Sequence, residues 1–427
     1  MEQQAVWAVA IFLITYGFII AEKIHRTIVA MAGAVLVVAF GIVSQEEAVH
    51  AIDFNTLGLL TGMMIIVHIT SETGIFRYLA VKSAKIAKAD PVRILVALNL
   101  ITAIASAFLD NVTTVLLMVP VTFSIVRQLK LPVMPFLISE IISSNIGGTA
   151  TMIGDPPNIM IGSRVEELGG FIAFIDNLAL ISAAILIVTL VIFAFMYRKQ
   201  IQTTEDLKQN MMKMDERLEI GDKKLLIKAL SVLGLTIAGF FLHQALHIES
   251  ATVALAGAFL LLLLTGEHKL EHSLAKVEWT TIFFFVGLFV LVSGLEFTGV
   301  IEDLARAAIE LTGGEIAPTA ILILWLSAIA SAFIDNIPFV ATMIPLIQEM
   351  GALGVDDLEP LWWSLALGAC LGGNGTLIGA SANVIVAGLS AKEGHPISFL
   401  QYLKVGFPLM LLSIVVATAY VYLRYLA

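Results

Sequence analysis

Cys370 is the single cysteine of the chain, which excludes a disulfide framework and any multi-thiolate metal site. Charge is also scarce: Asp, Glu, Lys and Arg make up 14% of the residues, against about 25% in soluble domains. Neither lysine nor arginine occurs in 94–126 or 131–163, so acids there have no basic neighbour along the chain. The net charge of −10 is diluted over loops and identifies no partner; no nucleic-acid partner is expected. The histidines, His25, His50, His68, His243, His247, His268, His272 and His395, lie mostly in loops or at helix ends. They form no ligand cluster in the sequence, so solvated or interfacial roles are expected and no metal site is.

What the chain has instead is apolar length. A hydrophobic fraction of 59% and a mean hydropathy of +0.95 put it in a bilayer. Runs long enough to span about 30 Å of hydrocarbon occur at 5–21, 27–43, 55–71, 134–154, 172–197, 224–243, 250–265, 279–295, 358–380 and 404–426, five in each half. Between the third and fourth crossing of each half lies a further apolar pair, 92–109 with 112–129 and 318–334 with 337–350, each joined by an Asp-Asn turn. Met1-Glu2-Gln3-Gln4 precedes the first run and Glu22-Lys23 follows it, so it reads as a retained helix rather than a signal peptide. The Phe283–Phe285 run suits packing, and the Trp362-Trp363 pair suits the membrane interface.

AIASAFLDNVTTVLLMVP at 103–120 returns as AIASAFIDNIPFVATMIP at 328–345, an ungapped offset of 225. The same offset pairs Gly147, Gly148, Thr151, Ile153, Gly154 and Asn158 with Gly372, Gly373, Thr376, Ile378, Gly379 and Asn383, and Thr73-Gly74 with Thr298-Gly299. The chain is a duplication, divided as 1–197, a polar linker 198–223, and 224–427. The stretch 76–93 carries Arg77, Lys82, Lys85, Lys88 and Arg93 against Asp90, whereas its counterpart 301–318 carries Glu302, Asp303, Glu310 and Glu315 against Arg306. By the positive-inside rule the first is cytoplasmic and the second outside. The expected fold is therefore all-α and polytopic: two inverted repeats, each with about five crossings, a re-entrant hairpin and a broken helix. The linker would be cytoplasmic and helical, and both termini outside.

Two polar segments per half interrupt the apolar pattern. Asp110-Asn111 and Asp335-Asn336 sit at the hairpin tips. Such residues serve tight turns and helix caps, but an acid in hydrocarbon is costly enough to mark an ion or proton site. Asn145 to Asn158 contains three glycines and Pro156-Pro157, so the helix must break there and expose backbone groups. Leu371 to Asn383 repeats the glycines and the final Asn without proline. Close packing of small residues is the structural alternative for both. The candidate binding residues are Asp110, Asn111, Thr113, Thr114, Asn145, Gly147, Gly148, Thr149, Thr151, Gly154, Asp155 and Asn158 in the first half. Asp335, Asn336, Gly372, Gly373, Asn374, Gly375, Thr376, Ser381 and Asn383 are those of the second. The halves differ: Thr113, Thr114, Asp155 and Glu140 correspond to Pro338, Phe339, Ala380 and Leu365. Asp110, Asp155, Glu140 and Asp335 are the coupling candidates, and an anionic substrate would meet an acidic cavity without a base.

With SAFLDNVTTVLLMVPVT at 106–122 and SNIGGTATMIGDPPNIMIGS at 144–163, the chain resembles the ion transporter superfamily that includes ArsB-type arsenite permeases, NhaD-type sodium/proton antiporters and the melanosomal P protein, with a citrate transporter-like domain. The resemblance covers essentially the whole chain. It implies inverted repeats whose hairpin tips and broken-helix loops meet at a central site, with elevator-type movement. It also implies a location in the plasma (inner) membrane. Sodium-coupled symporters of the wider group have Ser-Asn-Thr at the tips, where this chain has Asp-Asn.

The reading that follows is a secondary active transporter, not an enzyme, exporting arsenite, antimonite or a related small inorganic solute on an ion gradient. With one cysteine, arsenite would be read as neutral As(OH)₃ through hydrogen bonds. A sodium/proton antiporter would use the same acids, a sodium-coupled carboxylate or anion carrier is third, and a passive channel is a further alternative. An intramembrane aspartyl protease is remote, because Met152 stands where its Gly-x-Gly-Asp signature needs glycine. No cofactor is expected beyond a coupling proton or sodium ion. Membrane lipid and the small solute are the expected partners; neither a homodimer surface nor a contact for a soluble ATPase subunit is marked by a motif.

Overall fold

The computed structural model describes residues 2–21, 23–266 and 269–427. Met1, Glu22 and His268 lie outside the described residues. Among those residues every regular element is helical, and nine helices are long and apolar enough to cross a membrane.

The first half runs through Glu2–Ala21, Arg26–Ala39, the short Gln45–Ala51, Phe54–Ser71 and the amphipathic Ile75–Ile86. A hairpin follows (Pro91–Leu109 and Asn111–Gln128), then a broken helix (Met134–Thr149 and Pro156–Arg164), and a closing helix that continues from Gly170–Phe174 through a π turn into Leu180–Tyr197. The second half repeats this order: Lys223–Leu242, Ser250–Thr265, Leu270–Ala275, Trp279–Phe297, Val300–Thr312, the hairpin Ile316–Phe333 with Asn336–Ala352, the broken helix Glu359–Gly372 with Ser381–Lys392, and Phe399–Val421. The runs at 27–43 and 250–265 fall short as single crossings. They form helices of 14 and 16 residues, about 21 and 24 Å at 1.5 Å per residue, and the first stops where Gly41 takes a left-handed φ of 67°.

The halves are interlocked by exchange. A Cβ on Gly62 of Phe54–Ser71 would lie 2.6 Å from the Ala254 carbonyl carbon of Ser250–Thr265. A Cβ on Gly287, the residue equivalent to Gly62, would lie 2.7 Å from the same atom of Ala30 in Arg26–Ala39. Each half thus lends a glycine-bearing helix to the other's short helix, with backbones in contact as membrane packing through small residues allows. Reciprocal contacts of this kind mark a two-fold relation between the halves, and the opposite loop charges of the equivalent stretches 76–93 and 301–318 make it an inverted repeat.

Lipid-facing residues lie mainly on the outer helices: Val6, Leu13 and Ile14 are exposed on the first, Leu180 and Ile187 on the last of the first half. The tryptophan pair is not interfacial. Trp362 and Trp363 are 2% and 0% exposed, because the helix carrying them is enclosed on all sides; Trp363 packs edge-on against Phe174 and donates to Glu359 Oε1 at 3.0 Å. Of the phenylalanine run, Phe284 and Phe285 are buried and Phe283 is exposed.

The linker forms helices Glu205–Met212 and Glu216–Glu219 and docks on Ile75–Ile86. Lys85 Nζ lies 2.6 Å from Glu216 Oε2, and the Gly221 N–H donates to the Thr73 carbonyl at 3.2 Å. Gly74 and Gly299 both cap their amphipathic helices at positive φ, 82° and 79°, where glycine alone is unstrained. Only at Gly74 does the linker cover the turn: a Cβ there would come within 1.9 Å of the Glu219 carbonyl oxygen, while that of Gly299 would meet nothing within 4 Å.

Candidate functional site

The two breaks and the two tips converge. Each break is held by a closely matching set of bonds, differing in one acceptor, which explains its residue types. Thr151 Oγ1 donates to the Ala107 carbonyl of its hairpin and Thr376 Oγ1 to that of Ala332. Ser106 Oγ reaches the Ser144 carbonyl and Ser331 Oγ that of Ala369, both at 2.6 Å. Asn158 Nδ2 bonds the carbonyls of Thr149 (3.2 Å) and Thr151 (2.9 Å); Asn383 Nδ2 bonds those of Gly373 (2.7 Å) and Thr376 (2.9 Å). The two asparagines thus satisfy carbonyls that the broken helices release. Gly147 and Gly372 let each break touch the hairpin backbone, since a Cβ would fall 2.1 and 2.5 Å from the carbonyl oxygens of Ala103 and Ala328. Gly148 lies against Gly154, and Gly373 against Gly379. A Cβ on Gly375 would meet Ala332 Cβ at 2.6 Å. These glycines and threonines are structural in this conformation.

Between the breaks lies a buried amide cluster. Asn145 Nδ2 donates to Asn374 Oδ1 (3.0 Å) and to Asn383 Oδ1 (2.9 Å), and its Oδ1 accepts from Asn111 Nδ2 (3.2 Å). Cys370, the residue equivalent to Asn145, faces Asn158 Oδ1 at 3.4 Å, completing the exchange between halves. Thr149 Oγ1 turns back onto the Asn145 carbonyl at 2.8 Å. Asn111 Oδ1, Thr114 Oγ1 and Asn374 Nδ2 are buried without a hydrogen-bond partner, which is costly unless something else uses them.

The tips differ in charge. Asp110 sits at φ 70° and caps its second arm, accepting from Thr113 N–H (2.9 Å) and Thr113 Oγ1 (2.7 Å). At the other tip, Asp335 Oδ2 accepts from Arg26 Nη1 (2.5 Å) and Ser381 Oγ (2.8 Å), and Asp335 Oδ1 from Ile337 N–H (3.1 Å). Asn336 Nδ2 reaches across to Asp155 Oδ1 at 3.4 Å, while Asp155 Oδ2 has no partner. Glu140 is removed from the centre: Oε1 accepts from Thr122 Oγ1 (2.6 Å) and Thr102 Oγ1 (3.5 Å), and Oε2 is unpartnered.

Two residues and one cluster correct expectations drawn from the chain. Arg26 supplies the base that 94–126 and 131–163 lack; it arrives from the second helix, far outside the signature segments. Glu278, which precedes Trp279–Phe297, lines a cavity with Asp110, so Asp335 is not the only acid the second half contributes. A charged residue opening an apolar run was the available signal for both. Finally, the histidines do form a ligand-type group: His68, Glu72 and His272 gather from the two halves, with Glu72 Oε1 3.4 and 3.2 Å from their Nε2 atoms. Lys269 Nζ holds the other oxygen of Glu72 at 2.6 Å, so the group reads as a salt-bridged staple.

Two cavities frame the centre. One of about 310 Å³ opens at the end of the first helix and exposes Asp335, Arg26 and Ser381. Behind it lies one of about 20 Å³, lined by Asp110, Glu278, Thr281, Pro156, Arg26 and Ser381.

A profile of the citrate transporter family, CitMHS, matches residues 16–368. An uncharacterized transporter of Mycobacterium tuberculosis is 43% identical over 429 residues, 99% of each chain. The P protein of Mus musculus is 36% identical over 507 residues, all of this chain and 61% of that protein. Among solved structures, the YdaH transporter of Alcanivorax borkumensis, described as having an unusual topology, superposes with a TM-score of 0.62 over 99% of this chain and 98% of that one at 11% identity, a likeness of fold. The chain belongs to the citrate transporter family and is a multi-pass integral membrane transporter.

Proposed function

We propose that the protein is a secondary active transporter that exports a small uncharged inorganic solute of the arsenite or antimonite type, driven by a proton or sodium gradient. The observation that carries this reading is the contrast at the centre: an amide cluster with unspent donors and acceptors lies beside Asp110, a buried acid without a basic hydrogen-bond partner. Neutral As(OH)₃ presents hydroxyls that both donate and accept. Such a solute matches Asn111 Oδ1, Thr114 Oγ1 and Asn374 Nδ2 without requiring a countercharge. The acid beside it supplies the coupling. By loop charge the linker is cytoplasmic and both termini are outside.

Everted vesicles test the proposal directly. Arsenite uptake should follow an imposed gradient and be lost with Asp110→Asn. A second reading, sodium/proton antiport, is supported by the 20 Å³ cavity, which fits one small ion between Asp110 and Glu278. Sodium-induced collapse of an imposed pH gradient, without arsenite uptake, would select it. A carboxylate carrier, in line with the family's description, would instead show substrate binding that requires sodium.

A further inference from the structure

Duplicated sites begin equal, so two equivalent ion positions are the default for this fold, although the tip backbones now differ, with Asp110 at φ 70° and Asp335 at φ −47°. The side chains break that equality. At the second tip a positive charge is already in place. Arg26 Nη1 sits 2.5 Å from Asp335 Oδ2 and 2.7 Å from Ser381 Oγ, the carboxylate and hydroxyl oxygens that a bound cation would take. Its guanidinium carbon lies 4.8 Å from the ring centre of Phe284, which adds cation–π attraction. At the offset of 225 the counterparts of Arg26, Ser381 and Phe284 are Ala251, Pro156 and Leu59. The first tip therefore has neither the built-in cation nor the groups that seat it.

What the first tip has is space and negative charge. The cavity of about 20 Å³ beside Asp110 has room for one water-sized particle. Asp110 and Glu278 both line it, and Thr281 Oγ1 donates to Glu278 Oε2 at 3.1 Å. The remaining charged groups nearby are Arg26 on the cavity wall, Asp335 beyond it, and Asp155 across Asn336. Arg26 is a single charge and is bonded to Asp335. Two carboxylates facing one small cavity then repel unless a proton or a small cation lies between them.

We propose that Arg26 is a tethered cation that permanently fills the second-half ion position, so that the transporter exchanges a single proton or small monovalent cation, at the cavity between Asp110 and Glu278. The inference rests on the ion-coupled reading above and fixes its stoichiometry: one ion per cycle where the repeat provides for two. It also gives Arg26 and Ser381, which line both cavities, the wall between the open cavity and the exchangeable ion.

Chemical rescue tests the tether without transport. Purified Arg26→Ala should gain saturable thermal stabilisation from low, non-denaturing guanidinium chloride, a rise of about 2 °C over choline chloride at equal ionic strength. The small cation re-enters through the open cavity. Wild type and the Arg26→Ala/Asp335→Asn double variant should show no such rise. In proteoliposomes, the dependence of transport on the coupling ion should be first-order in wild type and should steepen towards second-order in Arg26→Ala. Should Arg26→Ala fail to fold, Arg26→Lys keeps the charge and should stay first-order with no response to guanidinium, and a second-order dependence there would overturn the proposal. A second-order wild type, or an Arg26→Ala protein indifferent to guanidinium, would overturn it as well. Rescue without any coupled transport in wild type would strike the proposed function alone; coupled transport without rescue would strike the tether alone.

Discussion

Asp110 and Asp335 stand at the same place in two copies of one unit, within nearly identical sequence, yet their surroundings share little. Asp335 is bonded to a guanidinium and a hydroxyl and faces an open cavity of about 310 Å³. Asp110 is bonded only within its own turn, to Thr113, and faces a cavity of only about 20 Å³ beside a second acid. The backbone of the two breaks is preserved by glycine contacts and by bonds that match between the halves, Thr151 to Ala107 and Thr376 to Ala332, Asn158 to Thr151 and Asn383 to Thr376. The chemistry has diverged through residues that those bonds do not constrain. A duplicated fold can therefore hold its architecture fixed while one half becomes the working site and the other a fixed charge.

Exchanging the two acids one at a time breaks the comparison most sharply. Asp110→Asn should reduce gradient-driven uptake in vesicles to the level of empty vesicles, since Glu278 would then face the cavity alone and the carboxylate pair that holds the exchangeable ion would be broken. Asp335→Asn should keep coupled uptake and instead cost stability, because it leaves Arg26 without its acid. The Arg26 side chain is 28% exposed, so the loss is about 1–2 kcal/mol, below the 3–5 of a fully buried pair. Thermal unfolding in detergent alongside the transport assay separates the two outcomes. Equal loss of uptake in both variants would mean that the tips work alike.

The glycine pair should give the opposite result, equal effects in both halves. Gly147→Ala and Gly372→Ala each force a Cβ onto a carbonyl oxygen, at 2.1 and 2.5 Å. Backbone cannot yield as a flexible side chain can, so each should cost about 1–3 kcal/mol. Gly388→Ala, with nothing within 4 Å, is the matched control and should be neutral. Melting temperatures of the three variants measure this.

These contrasts also show where the sequence is transparent. The offset of 225, the Pro156-Pro157 break and the Asp-Asn tips are local patterns, and local backbone preferences decide them, so helices, hairpins and breaks fall close to where the chain indicates. The amide cluster was partly legible because Asn145, Asn374 and Asn383 lie in the glycine-rich segments. Arg26 and Glu278 were not, since each belongs to a different apolar run, and only the interlocking of the halves brings them to the tips. The same long-range closure assembles His68, Glu72 and His272, and it buries Trp362 and Trp363, whose amphipathic side chains by themselves indicate an interface. Periodicity reports which residues leave water. It does not report which of them meet.

The smallest contrast lies outside the membrane, at the two glycine-capped amphipathic helices. Gly299→Ala should cost only the left-handed strain, about 1–2 kcal/mol, because its turn is uncovered. Gly74→Ala must in addition push back the linker, whose Glu219 carbonyl occupies the space. It should therefore expose 205–219 to limited proteolysis, which Gly299→Ala should not. The Lys85 ammonium, hydrogen-bonded to Glu216, holds that carboxyl below its usual range. A group whose folded value is lowered contributes stability above its unfolded value, about 4.3, and loses it as pH falls through the folded value. Linker protection should accordingly be constant from neutral pH down to about 5 and fall below about 4 in wild type. Lys85→Ala should show the looser pattern already at neutral pH and respond less to acid. Protection that stays constant through acid in wild type would mean that backbone contacts such as Gly221 to Thr73, rather than the ion pair, hold the linker on the first half.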